Sequence, residues 1–158
     1  QPILLVTEVD MEEETVTRLS RVGFDNVLGY LQGGFSSWKD AEKEIDTVNR
    51  ITATEFASQI EGKEAMVIDV RKESEYAAEH VEDAYSKPLA YINDWVNDID
   101  PKQPFYLHCA GGYRSMIAAS ILQARGYRNF IEIEGGFKAI AETQIPKTDF
   151  VCQSKVLK

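Results

Sequence analysis

Two rhythms of apolar residues alternate along the chain. Ala65-Met66-Val67-Ile68-Asp69-Val70 is a short apolar run rich in β-branched residues, as expected for a strand buried on both faces of a parallel sheet. Phe105-Tyr106-Leu107-His108 reads as a second strand, and Ala84-Tyr85-Ser86, closed by Pro88, as a shorter third. Between them lie stretches with helical spacing. Met116 to Leu122 reads as a helix, Glu73 to Glu79 as a short one, and Leu89 to Asp98 leads a stripe of Ile92, Trp95, Val96 and Ile99. Within Ile51 to Phe56, Thr52 and Glu55 have the spacing of a capping box and mark a helix start. Residues 40–50 are polar and read as a helix end followed by a linker. Strands alternating with helices predict an α/β fold, a parallel β-sheet flanked by helices on both faces.

The pattern repeats in part. Residues 3–38 run from Ile-Leu-Leu-Val through a helical stretch to Gly23-Phe24-Asp25-Asn26 and then Gly33-Gly34-Phe35. Residues 106–140 run from Tyr-Leu-His-Cys through a helical stretch to Gly126-Tyr127-Arg128-Asn129 and then Gly135-Gly136-Phe137. The shared order is strand, helix, Gly-aromatic-x-Asn turn, strand, Gly-Gly-Phe, helix. The offset is about 103 residues early and about 102 late, so the copies differ by one residue in length. On the early offset Val6 stands opposite Cys109. Only the second copy has a front half. The expected organisation is a half domain at 1–45, a linker at 46–50, a full domain at 51–146 and a C-terminal tail at 147–158.

Composition narrows the function classes. A net charge of −9 over 158 residues argues against non-specific binding to nucleic acid or anionic membranes, which require a basic surface. No apolar run approaches the ~20 residues of a membrane span. The start at Gln1-Pro2 lacks a basic region and a cleavage site, so a signal peptide is not expected, and a processed chain or excised fragment is. Two cysteines, Cys109 and Cys152, do not make a disulfide framework, and a reducing, cytoplasmic setting is expected. Two isolated histidines and two distant cysteines have no metal-ligand spacing. No metal and no cofactor is expected.

The chemistry concentrates in Cys109-Ala110-Gly111-Gly112-Tyr113-Arg114-Ser115. A cysteine at a strand end, a Gly-rich loop and a helix start make a site for a charged sulfur. Such a loop turns its backbone N–H groups toward one atom, and the first helical turn adds unpaired donors and the positive end of the dipole. Both favour thiolate over thiol, and thiolate is the reactive form. Gly111 and Gly112 are expected to take positive φ, and Arg114 to place a fixed positive fork at the rim. His108 points to the opposite face of its strand and reads as a core residue. His80 is expected to bond backbone, Trp38 and Trp95 to pack on the sheet, and Cys152 to be a bystander thiol. Tyr113 lies at the loop crown.

These residues resemble a rhodanese-like (sulfurtransferase) domain over roughly 49–142. Ile68-Asp69-Val70-Arg71 followed by Glu75-Tyr76 is similar to the family's Asp-x-Arg…Glu-Tyr segment. His80-Val81-Glu82-Asp83-Ala84 is similar to its Gly-His-Ile-x-Gly-Ala segment, with Glu79 and Asp83 where glycine is usual. Cys109 to Ser115 resembles its Cys-x-x-Gly-x-Arg-Ser loop, and Glu134-Gly135-Gly136-Phe137 its Glu-Gly-Gly-hydrophobic signature. The resemblance implies sulfur transfer. Cys109 attacks the outer sulfur of a small donor, becomes a persulfide, and passes the sulfur to a thiol or cyanide in two half-reactions. It implies that Ala110 to Ser115 hold the persulfide charge, that Arg114 holds the loop and attracts an anionic donor, and that Asp69 and Arg71 form a supporting pair. A cysteine phosphatase or arsenate reductase uses similar logic, but phosphatase loops carry five residues between Cys and Arg, and here four intervene. A non-catalytic binding module is the other alternative.

Residues 1–45 resemble the back half of a second such domain. Its loop region, Thr7 to Glu14, lacks a cysteine and is acidic, so this copy reads as inactive. Asp10 and Glu13 have capping-box spacing. The arrangement is similar to the C-terminal region of fusions between metallo-β-lactamase-like hydrolases and rhodanese repeats, which implies such a domain as a sulfur partner.

Overall fold

The computed structural model describes residues 1–152. The chain forms two compact units, Gln1–Thr47 and a second that begins at Val48. Tail residues 153–158 lie outside the described region.

In the first unit β1 (Ile3–Leu5), α1 (Glu12–Ser20), β2 (Val27–Tyr30) and α2 (Gly34–Asp40) follow in order, and β1 pairs with β2 in parallel. The pairing runs Ile3 with Val27, Leu4 with Gly29 and Leu5 with Tyr30, so Leu28 is left over as a bulge. It accounts for the seven positions from Asn26 to Gly33 against the six from Asn129 to Gly135. The capping box expected at Asp10 and Glu13 is not formed. Met11 takes the N-cap position without a side-chain cap, and Asp10 turns left-handed at φ 68°. Trp38 does not bury as expected: it is 40% exposed, and its indole N–H donates to the Glu44 carbonyl oxygen at 3.0 Å.

The second unit carries the main sheet. Its strands are β3 (Arg50–Ile51), β4 (Val67–Asp69), β5 (Tyr85–Ser86), β6 (Phe105–His108) and β7 (Phe130–Ile133). They are all parallel, in the order β3-β7-β6-β4-β5. Arg50, read from sequence as linker, is an edge-strand residue, and the Asn49 carbonyl oxygen accepts from Glu132 N–H at 2.8 Å. Too few apolar residues precede Ile51 for this edge to be visible in the pattern.

Alternation along each strand builds a core on each face. Ile68, Phe105, Leu107, Leu122 and Phe130 pack on one side with Trp95. Phe56, Val67, Ile133, Phe137 and Ile140 pack on the other. Helix α6 (Tyr113–Ala124) and the short α5 (Ile92–Trp95) cover the first face. Helices α3 (Ala53–Ile60) and α7 (Gly136–Ala141) cover the second. The capping box of Thr52 and Glu55 starts α3. Helix α4 (Glu73–Ala78) follows β4.

The expected tail is partly built into this unit. Val81 bridges antiparallel to Lys147, and Thr148 and Val151 N–H groups donate to His80 and Ala78. Asp83 sits at φ 61°, a left-handed position where the resembling segment carries glycine, and Glu79 is extended. No helix among the described residues is long and apolar enough to cross a membrane.

Candidate active site

The order β3-β7-β6-β4-β5 reverses direction between β4 and β6, and in open parallel sheets ligands sit at the carboxyl ends of the strands beside such a reversal. Cys109 is the residue after β6, Asp69 the last of β4, and Gly135-Gly136 follow β7. Because Phe105, Leu107 and Cys109 alternate on one face, the sulfur points to the side covered by α6 and is only 1% exposed. His108 points to the other side, fully buried as expected.

The loop from Cys109 curls under its own sulfur. Gly112 N–H donates to Sγ at 3.2 Å, and Ser115 Oγ lies 3.4 Å from it. Gly112 reaches φ 101° to make this turn; Gly111 does not use positive φ, contrary to expectation. Burial pushes the Cys109 thiol up, but hydrogen bonds from the Ser115 hydroxyl and from the N–H groups of Ser115, Gly111 and Gly112 outweigh it. The thiol ends below its ordinary range, so the loop holds a thiolate more readily than water does.

The loop is clamped from below. Phe137 N–H donates to the Cys109 carbonyl oxygen at 2.6 Å and Lys138 N–H to Ala110 at 3.1 Å. A Cβ on Gly136 would meet the Cys109 carbonyl oxygen at 2.3 Å. The Gly-Gly-Phe turn is therefore needed for close backbone approach as well as for its left-handed φ. The first unit repeats this contact, since a Cβ on Gly34 would meet the Thr7 carbonyl oxygen at 2.3 Å. Gly34 follows Thr7 by 27 positions, as Gly136 follows Cys109, so this contact sets Thr7, rather than Val6, in the position that Cys109 holds in the second unit.

Of the expected site residues, Ala110, Gly111 and Tyr113 form an exposed crown, with Tyr113 81% exposed. Gly112 and Ser115 are buried beneath it. Arg114 is not a bare cation at the rim. Its two terminal nitrogens hold Glu75 Oε2 at 2.6 Å and Oε1 at 2.8 Å, so it ties α6 to α4. The Arg114 fork pulls Glu75 down to about 2.

Asp69 and Arg71 form the supporting pair. Arg71 donates to Asp69 from N at 2.9 Å, from Nε at 2.8 Å and from Nη2 at 2.7 Å, and the pair is buried. Arg71 also donates to the Glu79 carbonyl oxygen at 2.7 Å and lies 4.1 Å over the Phe137 ring. His108 is held down by burial and so is neutral; its Nε2 is buried with no hydrogen-bond partner. His80 Nδ1 meets the Tyr76 carbonyl oxygen at 2.7 Å, as expected.

Sequence reading passed over three residues. Glu75 and Gly136 were noted only within motifs, and Glu132 not at all. Glu132 is fully buried in β7, between Arg50 Nε at 2.8 Å and Ser115 Oγ at 2.6 Å. Its signal was an acidic residue in the otherwise apolar run Phe130-Ile131-Glu132-Ile133. Among the described residues no group of three or more His, Cys, Asp or Glu could hold a metal ion.

Known proteins share the fold of the second unit. An uncharacterized protein of Synechocystis is 30% identical over 99 residues, covering 62% of this chain and 55% of its own. The chain thus spans about half the length of that relative. The thiosulfate sulfurtransferase GlpE of Pseudomonas fluorescens is 30% identical over 84 residues, covering 53% of this chain and 77% of its own. A rhodanese-like domain protein from Staphylococcus aureus superposes with a TM-score of 0.56 at 29% identity, covering 63% of this chain and 97% of its own. A thiosulfate sulfurtransferase from Pseudomonas aeruginosa, 21% identical, matches the fold over 96% of this chain and 33% of its own with a TM-score of 0.56. Residues 52–143, which include every strand of the main sheet except β3, match the rhodanese-like domain, and the chain belongs to that family.

Proposed function

We propose that the second unit is a sulfurtransferase working through a persulfide on Cys109. The thiolate attacks the outer sulfur of a donor such as thiosulfate. A Cys109–sulfur bond forms, the donor's S–S bond breaks, and sulfite leaves with the bonding electron pair. A thiolate or cyanide then attacks the outer sulfur, and Cys109 leaves as thiolate, giving a new persulfide or thiocyanate. The single observation that carries this reading is the Cys109 sulfur itself, enclosed by its loop with the Gly112 N–H at 3.2 Å and with its thiol lowered. The enclosed sulfur suits attack on a single atom of a small donor. The names of the GlpE relatives support the same chemistry.

The test is intact mass after incubation with thiosulfate. The chain gains one sulfur, and Cys109→Ser gains none. Absence of an adduct with thiosulfate and with a small thiol persulfide overturns the reading in favour of a binding module.

The first unit, on this reading, is the back half of a second, inactive domain of the same kind. Thr7 stands where the nucleophile would be, and Glu12, Glu13 and Glu14 open the following helix where the active loop attracts anions. A metallo-β-lactamase-like domain as the sulfur partner belongs to the same proposal. Its test is the sequence of the parent gene, where an upstream His-x-His-x-Asp-His stretch supports it and a gene without one refutes it.

A further inference from the structure

Ser115 has one hydroxyl proton and three acceptors around it. Glu132 Oε1 is 2.6 Å away, the Gly112 carbonyl oxygen 3.0 Å and Cys109 Sγ 3.4 Å. A hydroxyl donates once, and a short bond to a carboxylate is the strongest of the three. Glu132 is fully buried, and its other oxygen accepts from Arg50 Nε at 2.8 Å. Arg50 also reaches Glu134 at 3.2 Å and is the partly exposed end of the chain of contacts. The path therefore runs from the surface at Arg50, through Glu132 and Ser115, to the sulfur.

We propose that Glu132, held by Arg50, is a positioning residue that competes with the sulfur for the Ser115 proton and thereby sets the reactivity of Cys109. With the carboxylate in place, the Ser115 proton is drawn toward Glu132 and supports the thiolate only in part, beside the loop's N–H groups. Without that acceptor, Ser115 donates fully to the thiolate. The inference concerns the thiolate invoked in the proposed sulfur transfer but needs no sulfur donor for its test. Other charged groups around Glu132 and Cys109 are Arg50 of β3, Asp69 of β4, Arg71 after it, His108 of β6, Glu134 after β7 and Arg114 of α6, whose charge Glu75 of α4 meets. His108 is neutral through burial.

The experiment is the pH dependence of iodoacetamide alkylation of the full chain, read at Cys109 by peptide mass. Glu132→Gln keeps the shape. Arg50 demands the amide oxygen, so the amide NH2 faces Ser115 and frees its proton for the sulfur. The expected midpoint falls by about one pH unit, raising the alkylation rate about tenfold below both midpoints. Loss of a nearby negative charge also lowers a thiol midpoint, so Glu132→Gln is repeated with Ser115→Ala. The expected shift there is less than half as large. Equal shifts in the two backgrounds, or none in either, overturn the proposal.

Where Glu132→Gln gives no cooperative thermal melt, Arg50→Met reads the same device from outside. A buried carboxylate without its cation takes up a proton, so the Cys109 midpoint falls. Simple loss of a cation near the sulfur raises it, and a rise overturns the proposal. Failure of thiosulfate loading leaves this measurement intact, so the two readings are separable.

Discussion

Arg114 and Glu75, 39 residues apart, meet in a two-pronged bridge with contacts of 2.6 and 2.8 Å. The fork fixes the first turn of α6, which carries Ser115, against α4. It also means that the charge of the loop's arginine is already partly met. Anion attraction then falls to the backbone N–H groups, and Arg114 acts chiefly by holding the loop.

This bridge gives a pH signature. The folded state holds Glu75 at about 2, mainly through the Arg114 hydrogen bonds, against an ordinary 4.5. Its contribution is present above the ordinary value and is lost as pH falls from about 4.5 toward 2. The pair is partly exposed, so the loss is about 1 kcal/mol after solvent screening. Urea unfolding of wild type and Glu75→Gln across pH 5 to 2.5 shows the gap between them closing. A gap that stays constant contradicts the assignment.

Glycine substitutions separate close approach from backbone strain. Gly111→Ala meets open space at ordinary φ and changes stability by less than about 0.5 kcal/mol. Gly126→Ala also meets open space but at φ 89°, costing about 1 kcal/mol. Gly136→Ala combines φ 56° with a 2.3 Å approach to the Cys109 carbonyl oxygen and costs about 3 kcal/mol or more. It also slows alkylation of Cys109, because the displaced backbone carries the nucleophile. Denaturation midpoints and alkylation rates give both orders.

Asp69→Asn leaves Arg71 charged and buried without its anion. Arg71 is 5% exposed and makes its contacts to Asp69 from three nitrogens. Breaking one partner of a buried pair costs about 3–5 kcal/mol, measurable by urea unfolding at neutral pH. A loss below about 1 kcal/mol means that the cation finds its compensation elsewhere, from the Glu79 carbonyl oxygen and the Phe137 ring.

Cysteine placed in the first unit tests the proposed inactivity there. Thr7→Cys combined with Cys109→Ser puts a thiol at the end of β1, ahead of the acidic helix start of Glu12 to Glu14. Thiosulfate is expected to load no sulfur on it, read by intact mass. Loading at residue 7 shows that the scaffold alone suffices.

Much of the fold was legible in the chain. The apolar runs at 65–70 and 105–108 became central strands, and the Thr52 and Glu55 capping box opens its helix with both hydrogen bonds present. These are local effects, in which a residue's own conformational preference meets its near neighbours. The same logic failed at Asp10 and Glu13. There the chain turns left-handed at Asp10 and starts the helix one residue later than the spacing implied. The register error between Val6 and Thr7 arose because Thr7 to Gly23 spans 16 positions and Cys109 to Gly126 spans 17, a shortening that the bulge at Leu28 offsets and that is invisible until the Gly34 contact is seen.

The sequence by itself determined the cysteine at the strand end, the loop that holds it and Gly112, whose positive φ turns it, since these lie within one short segment whose spacing dictates its geometry. Only the tertiary structure decided what surrounds the sulfur. Glu75 reaches Arg114 across 39 residues, and Arg50 reaches Glu132 across 82. These partners meet because the sheet order β3-β7-β6-β4-β5 sets distant strand ends side by side. Burial then requires each charge so placed to find a counter-charge or a donor, and no local pattern states which one it will be.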